Sequence, residues 1–180
     1  MKKTLFYGFC MLLSLFSCIE EQDFDQLDDL EVMPTFEASI FYFETTEQLI
    51  NDTPNNTFYS NDFNFDAFNS SVFSDRVIEG SLTFEIENTT SKPLEIIIDF
   101  LDEDGASLDS ITFTIPAEPT QNITRLEEYG GASGKDIAIL TNTSSLRLSA
   151  ENLGDNTSVS GATDPKFILR SSGEFKFLIE

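Results

Sequence analysis

Apolar residues recur at every second position through most of this chain, and no long stretch repeats them at the helical spacing of three and four. Alternation of that kind puts one set of side chains on each face of an extended strand, so the chain is constrained to sheets with one dry face and one wet. Ile78, Leu82, Phe84 and Ile86 alternate with Ser81, Thr83, Glu85 and Glu87. Leu94, Ile96, Ile98 and Phe100 then point one way, and Asp102-Glu103-Asp104-Gly105 turns the chain. Ile111, Phe113 and Ile115 bring it back to Pro116, which is the pattern of a β-hairpin with a loop longer than two residues.

The remaining segments follow the same rule. Ala38 to Glu44 is β-rich, with Ile40, Phe41, Tyr42 and Phe43 as a near-continuous apolar run. Thr45 or Thr46 can cap a short helix through Gln48, Leu49 and Ile50 before Pro54 and the Asn cluster end it. Phe63, Phe65 and Ala67 are expected on one face of a strand, opposite Asn64 and Asp66. Ile123 and Leu126 suggest a short strand into the Gly130-Gly131 loop, Ile137 to Leu140 one helical turn, and Leu146, Leu148 and Ala150 another strand. Phe167, Leu169, Phe175, Phe177 and Ile179 share odd parity, so Ser171-Ser172-Gly173 is either a turn between two strands or a bulge within one. Eight or nine strands, with turn signals about every eight to twelve residues, predict an all-β fold: a single antiparallel β-sandwich, immunoglobulin-like or jelly-roll-like. A closed barrel is the alternative. With 18 Phe and no Trp, the aromatic load suits a sheet core.

The first residues read differently. Lys2 and Lys3 precede an apolar run from Leu5 to Phe16, which at about a dozen residues matches the core of a secretory signal and falls short of the roughly 20 needed to span a bilayer. The run ends in Leu15-Phe16-Ser17-Cys18, which resembles the lipobox of bacterial lipoproteins, with Phe16 departing from the usual small or aliphatic residue. That resemblance implies cleavage ahead of Cys18 and acylation of its sulfur and new amino group. Several buried acyl chains, at about 0.8 kcal/mol per methylene, hold durably where one does not. Cys10 leaves with the signal, so no disulfide is expected and stability must come from a core. The stretch Ile19 to Glu31 is acidic and poor in apolar residues, which reads as a tether. Acidic residues just after the lipidated cysteine resemble the export signal of surface lipoproteins in the Bacteroidota; a periplasm-facing anchor is the alternative. The expected organisation is a cleaved lipoprotein signal peptide over 1–17, a lipidated acidic tether over 18–35 and one β-sandwich domain over 36–180.

The same order of features is similar to a group of flavobacterial lipoproteins. There an acidic tether precedes a motif like Phe36-Glu37-Ala38-Ser39-Ile40-Phe41-Tyr42-Phe43, a strand pair like Leu82 to Ile115, and a final strand like Gly173 to Glu180. The resemblance implies fold and location and carries no activity.

Charge excludes a class of partner. Removing Lys2 and Lys3 leaves eight basic residues against 32 acidic, a net of −24, which repels phosphate backbones and anionic lipid heads alike; no nucleic-acid partner is expected. The chain has no histidine, so the commonest general base and zinc ligand is missing along with every Ser-His or Cys-His arrangement. Gly130-Gly131 with Gly134 is only loosely similar to a phosphate-cradling loop.

A few residues stand as candidates beside their blander readings. Asp99, Asp102, Asp104 and Asp109 resemble a fragment of a calcium loop, since calcium takes six to eight hard oxygens, but no glutamate stands at the expected distance beyond Gly105 and turns favour Asp and Gly anyway. Asp109-Ser110-Ile111 is similar to the O-glycosylation signal of the Bacteroidota, with Ser110 the acceptor. Asn51, Asn55, Asn69, Asn88, Asn122, Asn142 and Asn156 each begin an Asn-x-Ser/Thr triplet, read here as polar loops. Phe58, Tyr59, Phe63, Phe65, Phe68 and Phe73 would form a binding surface if Phe68 and Phe73 were exposed together, and core otherwise. The expectation is a non-enzymatic, outer-membrane-anchored binding module without cofactor, joined to the membrane through Cys18 and facing a glycan or an envelope protein. A purely structural envelope component is the second reading. A glycoside hydrolase built on two carboxylates is the third.

Overall fold

The computed structural model of the protein describes residues 32–118 and 122–179, so Cys18, the signal over 1–17 and the tether as far as Glu31 lie outside the described residues. Eight strands are found there: β1 (Thr35–Thr46), β2 (Thr57–Asn64), β3 (Val77–Asn88), β4 (Leu94–Leu101), β5 (Ser107–Ile115), β6 (Ile123–Gly130), β7 (Ser145–Asn152) and β8 (Lys166–Phe177). They form two four-stranded sheets, ordered β1-β8-β3-β6 and β2-β7-β4-β5. All pairings are antiparallel.

Each strand of the first half pairs with its counterpart in the second: β1 with β8, β2 with β7, β3 with β6 and β4 with β5. The chain is one long hairpin, doubled back at residues 102–106 and rolled into two layers that the β3–β8 and β4–β7 ladders close. Eight strands nested this way make a jelly-roll sandwich. The seven-stranded immunoglobulin order, four strands against three, is not adopted, and two separate sheets with free edges are not a closed barrel.

Antiparallel register sorts the connections between two ends. The near end carries the start of β1, the end of β8 and residues 65–76, 102–106 and 131–144. Residues 47–56, 89–93, 116–118 and 153–165 gather at the far end. Paired structure reaches back to Val32, which bridges Ile179, so the folded unit begins slightly ahead of the boundary read from composition.

The inner faces carry the expected apolar rows. Ile98 lies between Ile111 and Leu148, and Ile96 between Phe113 and Ala150. Aromatic rings join the layers: Phe84 meets Phe113 edge-on at 5.6 Å, Phe41 stacks on Phe63 at 5.7 Å, and Phe43 tilts onto Tyr59 at 4.3 Å. Each such pair adds about 0.5–1.5 kcal/mol beyond its area burial.

Departures from simple alternation have local causes. A register shift between Ser39 and Phe41 makes Ile40 an extra residue in β1. Phe36 and Ala38 therefore share a face with Phe41 and Phe43, which is why that segment reads as a continuous apolar run. A second shift, between Val77 and Glu79, buries Val77 and leaves Ile78 half-buried. β8 runs unbroken through Ser171-Ser172-Gly173: there is no turn, and the bulge lies opposite, in β1. β2 ends at Asn64, so Phe65 and Ala67 do not continue it; the chain enters two helical turns, α2 (Asp66–Asn69) and α3 (Ser71–Ser74), which follow the Thr46-capped α1 (Glu47–Asp52). In β6 the inward parity is that of Ile123, Glu127 and Tyr129, and Leu126 points to water at 55 % exposed. The expected helical turn is α4 (Ala138–Thr141), which buries Leu140.

At the near end, α2 and α3 lay Phe68 and Phe73 on Phe175, at 5.4 and 5.1 Å. Phe175 needs two glycines beneath it: a Cβ on Gly173 would sit 2.5 Å from its ring, and one on Gly80 would sit 3.0 Å from it and 2.9 Å from Leu140. Among the described residues, no helix is long and apolar enough to cross a membrane.

Candidate functional site

The far end is where charge is buried. Glu47 opens α1 and is 2 % exposed, and Lys92, in the β3–β4 turn, is fully buried. Oε1 of Glu47 accepts from the Ser91 N–H at 2.6 Å and from the Ser91 hydroxyl at 2.7 Å, while Oε2 accepts from the Ser160 N–H at 2.8 Å. Burial pushes this carboxyl up, but the donors of Ser160 and Ser91 and the charge of Lys92 outweigh it and hold it below the usual range. Lys92 Nζ donates to the Ser158 carbonyl at 2.7 Å and to its hydroxyl at 3.0 Å, and lies 3.3 Å from Oδ1 of Asp155. Asp155 in turn accepts from the N–H groups of Ser158 at 2.6 Å and Thr157 at 2.7 Å, which with the Ser158 hydroxyl hold its carboxyl far below the ordinary value.

Two asparagines complete the frame. Asn88 Nδ2 donates to the carbonyls of Lys92 at 2.9 Å and Pro116 at 3.0 Å, and its Oδ1 accepts from the Thr90 hydroxyl at 2.7 Å. Asn152 Nδ2 reaches the Asp155 carbonyl at 3.0 Å and Asn156 Oδ1 at 2.7 Å, and Asn156 Nδ2 reaches the Thr53 carbonyl at 3.2 Å. The segment 153–165, without strand or helix, is thereby tied to α1, to the β3–β4 turn and to the end of β7. Connections of about this length that lack secondary structure are uncommon in compact domains. What the segment shows to water is partly apolar: Val159 is 74 % exposed, and Leu153 and, on α1, Leu49 are likewise exposed. Beside it a shallow cleft of about 310 Å³ is lined by Asn88, Thr89, Glu118, Ser160, Gly161 and Ala162. Amides, hydroxyls and isolated aliphatic side chains in a prearranged frame suit recognition, since little ordering remains when a partner binds.

A second concavity crosses the outer face of the β1-β8-β3-β6 sheet. Register aligns Glu37, Glu174, Ser81 and Glu128 in one row across it, with Lys176 and Glu79 paired at 3.5 Å in the next. Like charges directly opposite repel. Glu37, Glu128 and Glu174 are all exposed, whereas a carboxyl acting as general acid near neutral pH is set against an apolar wall.

The four candidate calcium aspartates are not brought together. Asp99 pairs across strands with Ser110 and Arg147, on the outer face of its sheet, while Asp109 pairs with Phe100, on the inner face. Oδ1 of Asp102 accepts from the N–H groups of Asp104 at 3.0 Å and Ala106 at 2.8 Å, the role of a turn residue. Asp109 instead joins a clasp: Lys135 Nζ lies 2.7 Å from Oδ2 of Asp109 and 3.1 Å from Oε2 of Glu127, which also pairs with Arg125. Tyr129 lies buried beside it, and burial followed by the charge of Asp109 raises its hydroxyl well above the ordinary value. Among the described residues no three acidic side chains converge as a metal site. Ser110 is exposed on edge strand β5. Phe68 and Phe73 are 4 % and 9 % exposed, so the aromatic segment is core at that point. Of the Asn triplets, Asn88 is buried in the frame described above and the rest lie in or beside polar loops. Glu47, Lys92 and Asp155 were not marked by any motif: a lysine before a proline and a glutamate at a helix start carry no sign of burial.

No known family profile matches the chain, and no curated protein matches it. Among solved structures it is similar to infectious bursal disease virus, Gx strain, at 13 % identity and a TM-score of 0.32 over 84 % of this chain and 33 % of that one. Desmodium yellow mottle tymovirus gives 10 % and 0.36, covering 84 % of this chain and 89 % of that one. Bacillus endospore appendages, disulfide-linked pili, give 6 % and 0.35, covering 81 % and 89 %. This chain spans about a third of the length of the first of these. The sandwich assignment rests on strand order, not on these likenesses.

Proposed function

We propose that this protein is an outer-membrane lipoprotein, anchored through acylated Cys18 and exposed at the cell surface, that works without catalysis as a binding module. Its partner is an envelope protein or a glycan, met by the far-end loops. One observation carries the reading: buried Lys92 and Glu47 fix the segment 153–165 at the end of the sandwich opposite Val32, on the side of the chain that leads to Cys18. A loop fixed at that cost of desolvation, with Val159 held out in water, has the form of a recognition element. Protease shaving of intact cells tests exposure, and a pull-down with wild type against Val159→Asp tests recognition. The expected outcome is a shaved fragment and a partner captured by wild type that the variant loses at least tenfold. If capture is equal and nothing is shaved, the second reading, a structural component facing the periplasm, replaces this one.

A further inference from the structure

The near end carries an apolar rim that nothing in the described chain covers. Val32, Met33, Phe36 and Ile179 are 46, 45, 56 and 44 % exposed. They belong to one piece of structure: the Ile179 N–H donates to the Val32 carbonyl and the Phe177 N–H to the Pro34 carbonyl, each at 3.0 Å, and the Phe36 ring meets Phe177 edge-on at 5.5 Å. Phe177 rests on Phe73, so the rim continues outward from the core. Residues 35–39 of β1 are exposed on both faces, although Phe36 and Ala38 occupy positions that face inward elsewhere in the sheet.

Chain length selects the occupant. Thirteen residues, 19–31, separate Cys18 from Val32, and at no more than about 3.6 Å per residue they keep the rim within about 50 Å of the cysteine. A surface tethered so close is met at high effective concentration, and weak apolar contacts then suffice. Arg76, whose carbonyl accepts from the Leu178 N–H at 2.8 Å, stands beside the rim, while Lys176 is paired with Glu79 at 3.5 Å and Glu37 and Glu174 lie one row away, so the contact is apolar and not electrostatic. We infer that the rim of Val32, Met33, Phe36 and Ile179 rests in the headgroup boundary of the bilayer, a second and non-covalent contact that stands the sandwich upright with its far-end loops outward. The inference rests on the reading that Cys18 is acylated.

The mature chain carries no thiol besides Cys18, so Met33→Cys and the far-end control Val159→Cys can each take one environment-sensitive fluorophore. The full lipidated proteins are placed in vesicles of zwitterionic phosphatidylcholine with a lipid-borne quencher. The expected result is quenching several-fold stronger at 33 than at 159, reduced to the level at 159 by Phe36→Asp while the protein stays on the vesicles. Equal, weak quenching on vesicle-bound protein overturns the inference and leaves the anchor standing. Protein that never joins vesicles overturns both. A label at 33 that is already shielded in buffer in the unlipidated chain of residues 18–180 carrying Cys18→Ser, made without residues 1–17, shows the chain's own residues covering the rim. Shielding at 33 that appears only in native envelopes points to a protein neighbour. Either of the last two results overturns the lipid contact.

Discussion

Lys92 illustrates how a single side chain can decide the shape of a loop that lies more than 60 residues away in sequence. Its ammonium is fully buried, and its nearest partners are the carbonyl and hydroxyl of Ser158. Lys92→Ala is expected to lower stability by about 2–4 kcal/mol, because a cavity opens and the Ser158 carbonyl loses its donor; urea unfolding reads this directly. Glu47→Gln keeps the volume but turns an acceptor into a donor facing the N–H of Ser160 or Ser91, which costs about 1–3 kcal/mol at neutral pH. The pH dependence has a definite sign. The folded Glu47 carboxyl sits below its ordinary value of 4.5, so its contribution is present above that value and lost as pH falls through the folded one. The difference in unfolding free energy between wild type and Glu47→Gln should therefore shrink on acidification below about pH 4.5. A difference that stays constant from pH 7 to 3 would contradict the assignment.

Elements were legible where one face is wet. The β4–β5 hairpin, β7 and the Thr46-capped helix follow from alternation and from one capping residue. Legibility failed where the period slips. At Ile40 and Ile78 an extra residue inverts parity, and a sequence pattern cannot tell a bulge from a buried run. It failed again at Leu126, because the inward face of β6 spends its positions on Glu127 and Tyr129 in a clasp whose partners lie on other elements. The far-end frame was invisible for the same reason: its atoms come from four separate segments. Two glycines set the near-end packing, and Gly173→Ala should displace the Phe175 ring. A loss of about 1–3 kcal/mol is expected, as for an overpacked core, measured by thermal unfolding. Gly130→Ala should be at least as damaging, since its φ is +74° and the added Cβ would lie 2.3 Å from the Ile78 carbonyl oxygen.

At the scale of the molecule, charge and topology set the behaviour. With 32 acidic residues the folded chain repels itself, so the melting temperature should rise with added salt from low ionic strength, the reverse of a protein held by surface ion pairs. Nearly every ladder joins distant segments, β1 to β8 most of all, and folding should fall in the slow range of milliseconds to seconds or beyond; stopped-flow refolding checks this. The position of β8 carries a last consequence. It is the last of the eight described strands to be synthesised, yet it lies in the interior of its sheet, between β1 and β3. Until residue 177 has emerged, β1 has no neighbour, and its layer lacks two of its three ladders. Up to that point the nascent chain cannot close its core, and completion of the sandwich waits on β8.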